Sequence, residues 1–295
     1  MRDSVHSHPG RLEGRLANGK MQLGVLYEQK WETIGVPPAC GTFTGPYPDD
    51  VVSAARFFDL EGFVILRAVI NRSALDELDH DLVRITKNAQ SLDPVREGFN
   101  VEDPSRWPSP EQPVFRKIGG VCDLSSVFWR VCRAGRILDV VQAVLRDSIH
   151  LYRDVVMMKQ ARVGREKPWH QDGVYWPYRP FRFASALIAL DSMTPDNGCL
   201  QIVPRSHRDG PLPHHGEELR VTLSPEQQAS TVYVPLPPGD VLIFDGLMLH
   251  ASETNQSARH RRAAILSYMA ASVEYMGSPP EPPRIPVREL AIEAG

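Results

Sequence analysis

The sequence predicts a mainly β fold with flanking α: a sandwich or barrel carrying a helical layer on its N-terminal side. Three observations predict it. Seven short runs with strand character follow one another between residues 151 and 269, clusters of Gly, Pro, Asn and Asp punctuate them, and apolar stripes at helical spacing precede them. Strands gathered after helices, instead of alternating with them, argue against a parallel βαβ sheet.

Taken in order, residues 1–47 are rich in Gly, Pro, Arg and His without a sustained period, and are expected to form a peripheral arm. Val51, Val52, Ala55 and Phe58 then fit one helical face, Gly62 breaks it, and the run from Phe63 to Leu66 reads as a short buried strand. Ser73 is placed to cap a second helix with the stripe Leu75, Leu78, Leu82 and Ile85. Residues 92–112 contain four prolines and are too broken for a core element, so a lid folding over a bound substrate is expected there. Further helix is expected over 128–131 and 136–145. Strands are expected over 151–159, 183–190, 199–203, 231–234, 240–244, 248–252 and 262–269. The tail 277–295, with Pro279-Pro-Glu-Pro-Pro, reads as polyproline-like surface chain, which leaves 48–276 as a single domain.

Composition narrows the function. The chain has 295 residues with 33 Lys+Arg against 36 Asp+Glu, and a balance of −3 carries no basic footprint for nucleic acid. No apolar run approaches the ~18 residues of a membrane span, and no hydrophobic leader follows a basic start. Four cysteines without CxxC spacing fit reduced thiols. The expected setting is therefore cytoplasmic, with a small molecule as partner and neither membrane nor nucleic acid. The residues say nothing about oligomeric state.

The densest chemical signal is Trp169-His170-Gln171-Asp172, with His250 on a predicted strand eighty residues later. Residues i and i+2 of an extended chain share a face, so His170 and Asp172 can reach one point. Two imidazoles and one carboxylate on one face of an octahedron suit non-heme Fe(II), leaving positions for a chelating cosubstrate and O2. His207-Arg208-Asp209 repeats the pattern, but among Pro204, Gly210 and Pro211 it reads as a turn. Ser252 shares the face of His250, and Arg261 follows across a polar turn, where a hairpin brings it back beside His250. A planar guanidinium suits the far carboxylate of a metal-chelating 2-oxo acid. Arg262 lies on the opposite face of the same predicted strand. Because both faces of that strand are apolar, parity does not choose between the two arginines.

Taken together, the motifs Phe57-Phe-Asp-Leu-Glu-Gly-Phe-Val-Ile-Leu, Pro168-Trp-His-Gln-Asp-Gly, Asp196-Asn-Gly-Cys-Leu-Gln-Ile-Val-Pro-Arg-Ser-His, Pro238-Gly-Asp-Val-Leu-Ile-Phe and His250-Ala-Ser with Arg261 resemble the phytanoyl-CoA dioxygenase-like family. These are Fe(II)- and 2-oxoglutarate-dependent oxygenases. The resemblance implies a double-stranded β-helix (jelly-roll, cupin-like) core. It also implies iron on His170, Asp172 and His250, the distal carboxylate of 2-oxoglutarate on Arg261 and Ser252, and a further cosubstrate contact from Lys117. Two departures stand out: Leu187 where some members carry Trp, and Arg205 where Gly is common before Ser-His.

The activity so implied is hydroxylation of an unactivated C–H bond in a hydrophobic small molecule (a secondary metabolite, a lipid or an acyl-CoA), with release of succinate and CO2. Related halogenases have a small residue at the carboxylate position, so Asp172 favours oxygen insertion, or a desaturation or rearrangement. Tyr175, Trp176, Tyr178 and Phe181 are expected to line an apolar substrate pocket. Two other classes share such a scaffold: a cupin-type metalloenzyme working without 2-oxoglutarate, and a non-catalytic small-molecule binder.

Overall fold

A computed structural model describes residues 41–43, 45–90, 99–109, 111–216 and 219–290. In chain order these form β1 (Gly41–Thr42), α1 (Val51–Glu61), β2 (Phe63–Leu66), α2 (Arg72–Gln90), β3 (Phe99–Val101), β4 (Phe115–Gly119), α3 (Val121–Leu124), α4 (Ser126–Cys132) and α5 (Gly135–Leu145). There follow β5 (Ile149–Lys159), β6 (Lys167–His170), β7 (Tyr178–Arg179), β8 (Phe183–Ala189), β9 (Leu200–Ile202), α6 (Pro225–Ala229), β10 (Val232–Val234), β11 (Val241–Asp245), β12 (His250–Ser252), β13 (Arg261–Ala270), β14 (Glu274–Tyr275) and β15 (Ile285–Arg288).

Two sheets carry the fold. The larger runs β2-β11-β8-β13-β5-β4-β3 with β15 also on β5, and the smaller runs β1-β10-β9-β12-β6. All pairings within them are antiparallel except that of β1 with β10. This is the mainly β jelly roll that the strand pattern and the motifs predict.

Helices cover the outer face of the larger sheet. α5 packs against β5, β8 and β13, and α1 packs on α5. The α5 stripe buries Ile137, Leu138, Val141, Val144 and Leu145, and the Tyr268 hydroxyl on β13 donates to the Cys132 carbonyl of α4 at 2.8 Å. That covering explains why both faces of β13 are apolar: one faces the sheet opposite, the other the helical layer. Among the described residues, no helix is long and apolar enough to cross a membrane.

Several expectations need correction. The face that α1 buries is Ala54, Phe57, Phe58 and Glu61, whereas Val52 points to solvent. Asn71, not Ser73, caps α2, its Oδ1 accepting from the Ala74 amide at 2.9 Å. The arm is not peripheral at its end: Gly41 and Thr42 pair with β10, and Phe43 is buried with its ring against Phe57 and Phe63. Residues 1–40 lie outside the described residues. The tail is not wholly surface chain either, since β15 adds an edge strand to β5. In the expected lid, β3 pairs with β4, while residues 91–98 and 110 lie outside the described residues.

Candidate active site

The site grows out of strand register. His170 ends β6 and His250 begins β12, and the two are direct cross-strand partners, so their rings leave the same face of the smaller sheet with centroids 4.1 Å apart. Gln171 is extended, and the next residue, Asp172, opens a 3-10 turn; its carboxylate is thereby returned to the His170 side. His170 Nε2 lies 3.6 Å from one Asp172 oxygen and His250 Nε2 lies 3.9 Å from the other.

Each imidazole is oriented by its own strand. His170 Nδ1 is 2.8 Å from the Pro168 carbonyl and His250 Nδ1 is 2.9 Å from the Met248 carbonyl, so Nδ1 carries the hydrogen in both. Nε2 of each ring then faces the centre, the orientation that metal-ligating histidines take. Burial, and after it the neighbouring His170, pushes the His250 pKa down to about 3, so the ring is neutral at ordinary pH. Burial works against ionisation of Asp172, but contact with His170 and, after it, the neighbouring His250 and Arg153 outweigh it and hold the carboxyl well below its usual range. Two imidazole nitrogens and one carboxylate, with ligand atoms within 4.8 Å of one another, form a donor set that fits a divalent iron.

Gln171 holds this geometry from behind. Fully buried, it donates from Nε2 to the Leu247 and Gly210 carbonyls at 2.7 and 2.9 Å, and its Oε1 accepts from the Leu212 amide at 2.8 Å. Sequence reasoning gave it no role, although an amide side chain between two candidate ligands was a usable sign.

The donors open onto a cavity of about 250 Å3 between the sheets. Met157, Tyr175, Leu187 and Ile265 supply apolar wall, and Ser252 and Arg261 line the same space. Arg261 is 4% exposed, and burial pulls its pKa down to about 10, which leaves it cationic. Its Nη2 donates to the Gly198 carbonyl, while Nε has no hydrogen-bond partner among the described residues. A buried cation with an unsatisfied donor fits an incoming carboxylate.

Arg262 faces the other way, its guanidinium bonded to Asp191 at 2.7 and 2.8 Å and to Asp79 at 2.5 Å. Of the two arginines, then, only Arg261 lines the cavity. Lys117, on β4 opposite Met157, is half buried; burial and, after it, Arg153 lower its pKa while Asp172 raises it. Of the four expected pocket aromatics, Tyr175 lines the cavity, but Trp176, Tyr178 and Phe181 pack with Phe183 into a separate cluster.

Lys159, which the sequence reading passed over, also lines the cavity. Its ammonium donates to the Arg165 carbonyl at 2.6 Å, the Ser252 carbonyl at 3.3 Å and the Glu253 carbonyl. Facing Arg261 across β5 and β13, it ties together the turn from which Arg261 emerges. Arg205 sits at φ 70, a region favouring Gly, and is held there by Glu61 at 2.7 Å.

Comparison with known proteins agrees with this geometry. The family described as phytanoyl-CoA dioxygenase (PhyH) matches residues 58–263. A probable phytanoyl-CoA dioxygenase of Caenorhabditis elegans is 24% identical over 236 residues, covering 72% of this chain and 73% of the relative. The Fe-bound crystal structure of EctD from S. alaskensis superposes with a TM-score of 0.63 at 25% identity, covering 80% of this chain and 83% of that one. The epimerase SnoN, solved with Fe3+, alpha ketoglutarate and nogalamycin RO, gives a TM-score of 0.64 at 20% identity, over 82% of this chain and 96% of that one, and shares the fold. With the match running from α1 into β13 and taking in all three candidate metal donors, the chain belongs to the phytanoyl-CoA dioxygenase family of Fe(II)- and 2-oxoglutarate-dependent oxygenases.

Proposed function

We propose that this enzyme hydroxylates an unactivated C–H bond of a small molecule with an apolar body, consuming 2-oxoglutarate and O2 and releasing succinate and CO2. One observation carries the reading: three candidate metal donors and a buried guanidinium with an open donor line one cavity. Iron(II) with 2-oxoglutarate and O2 supplies the oxidant, one oxygen atom entering the substrate and the other the new succinate carboxylate.

The chain's own residues do the rest. His170, Asp172 and His250 hold the metal through a face already set by strand register and by the Pro168 and Met248 carbonyls. Arg261 binds the distal carboxylate of 2-oxoglutarate by a charge-assisted bond, with the Ser252 hydroxyl beside it. Gly198 accepts from Arg261 and so aims it. Met157, Leu187 and Ile265 exclude water and hold the apolar body of the substrate. Cytoplasmic placement is supported by Cys122, Cys132 and Cys199, which carry thiols and no disulfide.

The test is succinate formation with Fe(II), O2 and 2-oxoglutarate, read against His170→Ala. Wild-type turnover, even uncoupled from a substrate, with none in the variant supports the reading. Oxygen consumption that proceeds without added 2-oxoglutarate and survives Arg261→Ala unchanged points to a metalloenzyme working without 2-oxoglutarate. A complete lack of metal-to-ligand charge-transfer absorption in anaerobic protein with Fe(II) and 2-oxoglutarate points to a non-catalytic binder.

A further inference from the structure

β6 carries His170, yet it is the end strand of the smaller sheet, with β12 on one side only. Backbone groups of successive strand residues point to alternate sides, so the Trp169 carbonyl and the Gln171 N–H face away from β12. Gln171 is fully buried, and a buried N–H must find an acceptor.

The chain that follows the 3-10 turn Ser206–Asp209 closes this edge. The Val221 N–H donates to the Trp169 carbonyl at 2.7 Å. Continued as an antiparallel ladder, that register would give the Gln171 N–H to the Leu219 carbonyl. Leu219 instead sits at φ 49, and its carbonyl accepts from the Tyr175 hydroxyl at 2.8 Å. The Gln171 N–H goes to His214 Nε2, 3.1 Å away. His214 Nδ1 lies 2.9 Å from the Leu212 carbonyl, so Nδ1 carries the hydrogen and Nε2 keeps its lone pair. His215 and Arg220 exchange backbone bonds of 2.8 Å and so bring His214 back beside β6.

An imidazole nitrogen thus takes the place of a strand carbonyl, and it does so at the peptide that joins His170 to Gln171. The orientation of that peptide sets ψ of His170 and φ of Gln171, and with them where Asp172 returns relative to the His170 ring. The exchange also leaves the Leu219 carbonyl to Tyr175, whose ring stacks on His170 at 6.0 Å between centroids and meets His214 edge-on at 5.3 Å.

We propose that His214 is a positioning residue for the metal face: its Nε2 holds the His170–Gln171 peptide, and through it the angle between the His170 and Asp172 donors. The inference rests on the iron reading and adds to it a residue that does not itself line the cavity.

The experiment titrates full-length protein with Co(II), followed by visible absorption, and measures hydrogen exchange of the Gln171 amide in the metal-free protein. His214→Phe keeps a ring against Tyr175 and loses the acceptor, whereas His214→Gln places an amide oxygen near the position of Nε2. His214→Phe is expected to weaken Co(II) binding about tenfold, the lower end of what outer supports of metal ligands contribute. It should also alter the Co(II) absorption and speed exchange at Gln171, and His214→Gln should return all three toward the wild type. If His214→Phe does not fold, the smaller His214→Leu carries the same comparison.

Unchanged Co(II) affinity in a folded His214→Phe overturns the proposal, even with faster exchange at Gln171, because the bond then exists without positioning the donors. So does a loss that His214→Gln shares in full, since packing and not the acceptor is then at work. Wild-type protein that binds no Co(II) sinks the iron reading and this inference with it, whereas wild-type binding matched by His214→Phe sinks this inference alone.

Discussion

The chain contains His-x-Asp twice, at His170 to Asp172 and at His207 to Asp209, and the structure treats the copies differently. In the first, His170 closes a strand and Gln171 is extended, so the two side chains return to one side. In the second, both residues lie inside a 3-10 turn, Ser206–Asp209, where positions two apart point well away from each other. His207 lies against Gly62, while Asp209 accepts from Gln227 at 3.0 Å on the surface. The same letters make a metal face or a turn according to the backbone between them.

The adjacent arginines teach the same lesson on one strand. Arg261 is buried toward the cavity with its Nε open, and Arg262 is spent on Asp191 and Asp79 outside it. Neighbours of identical chemistry differ in role because alternate residues of a strand face opposite sides.

Substitutions can break or sharpen these contrasts. The largest effect is expected from His170→Ala, which should weaken Co(II) or Fe(II) binding by more than about a hundredfold in metal titration, since removing a ligand exceeds the cost of removing its outer support. His207→Ala should leave metal affinity unchanged, and equal losses in both variants would erase the contrast.

Next, Arg261→Ala should raise the 2-oxoglutarate Kd by about ten- to a hundredfold, as expected for a lost bond between charged groups. Arg262→Ala should leave that Kd alone and cost about 1 kcal/mol in denaturant unfolding, the range of partly exposed ion pairs.

A smaller effect tests what aims Arg261. Gly198 has φ +76, and a Cβ there would lie 2.4 Å from the Glu253 carbonyl oxygen. Gly198→Ala should cost about 1–3 kcal/mol of stability and also raise the 2-oxoglutarate Kd, because the displaced carbonyl is the one that accepts from Arg261.

The smallest effect concerns the turn that carries the second copy. Arg205→Gly relieves a left-handed residue, worth about 1 kcal/mol, but strips the buried Glu61 of a cation, which costs about as much or more. A net loss near 1 kcal/mol in thermal unfolding is expected, with metal and cosubstrate affinity untouched.

Local rules carried much of the fold. α1, β2, α5 and the seven main strands are recognisable because side-chain period and turn residues are written within a few positions. β6 was missed because Lys167-Pro-Trp-His is too short and polar to show alternation, and β15 because the prolines before it and Pro286 within it suggest surface chain. Both exist because a neighbouring strand offers them a register. Lys159, Gln171 and His214 escaped for a related reason: each looks like an ordinary strand, motif or loop residue until the partners around it are known.

By itself, then, the sequence determined the fold class and the family and singled out three candidate metal donors, since motif spacing and strand parity act along the chain. Only the tertiary structure decided which of two His-x-Asp copies meets His250, which of two arginines enters the cavity, and which atom accepts from the Gln171 amide. Those outcomes depend on cross-strand register and on which face a helical layer covers, and both are set by contacts between residues far apart in the chain.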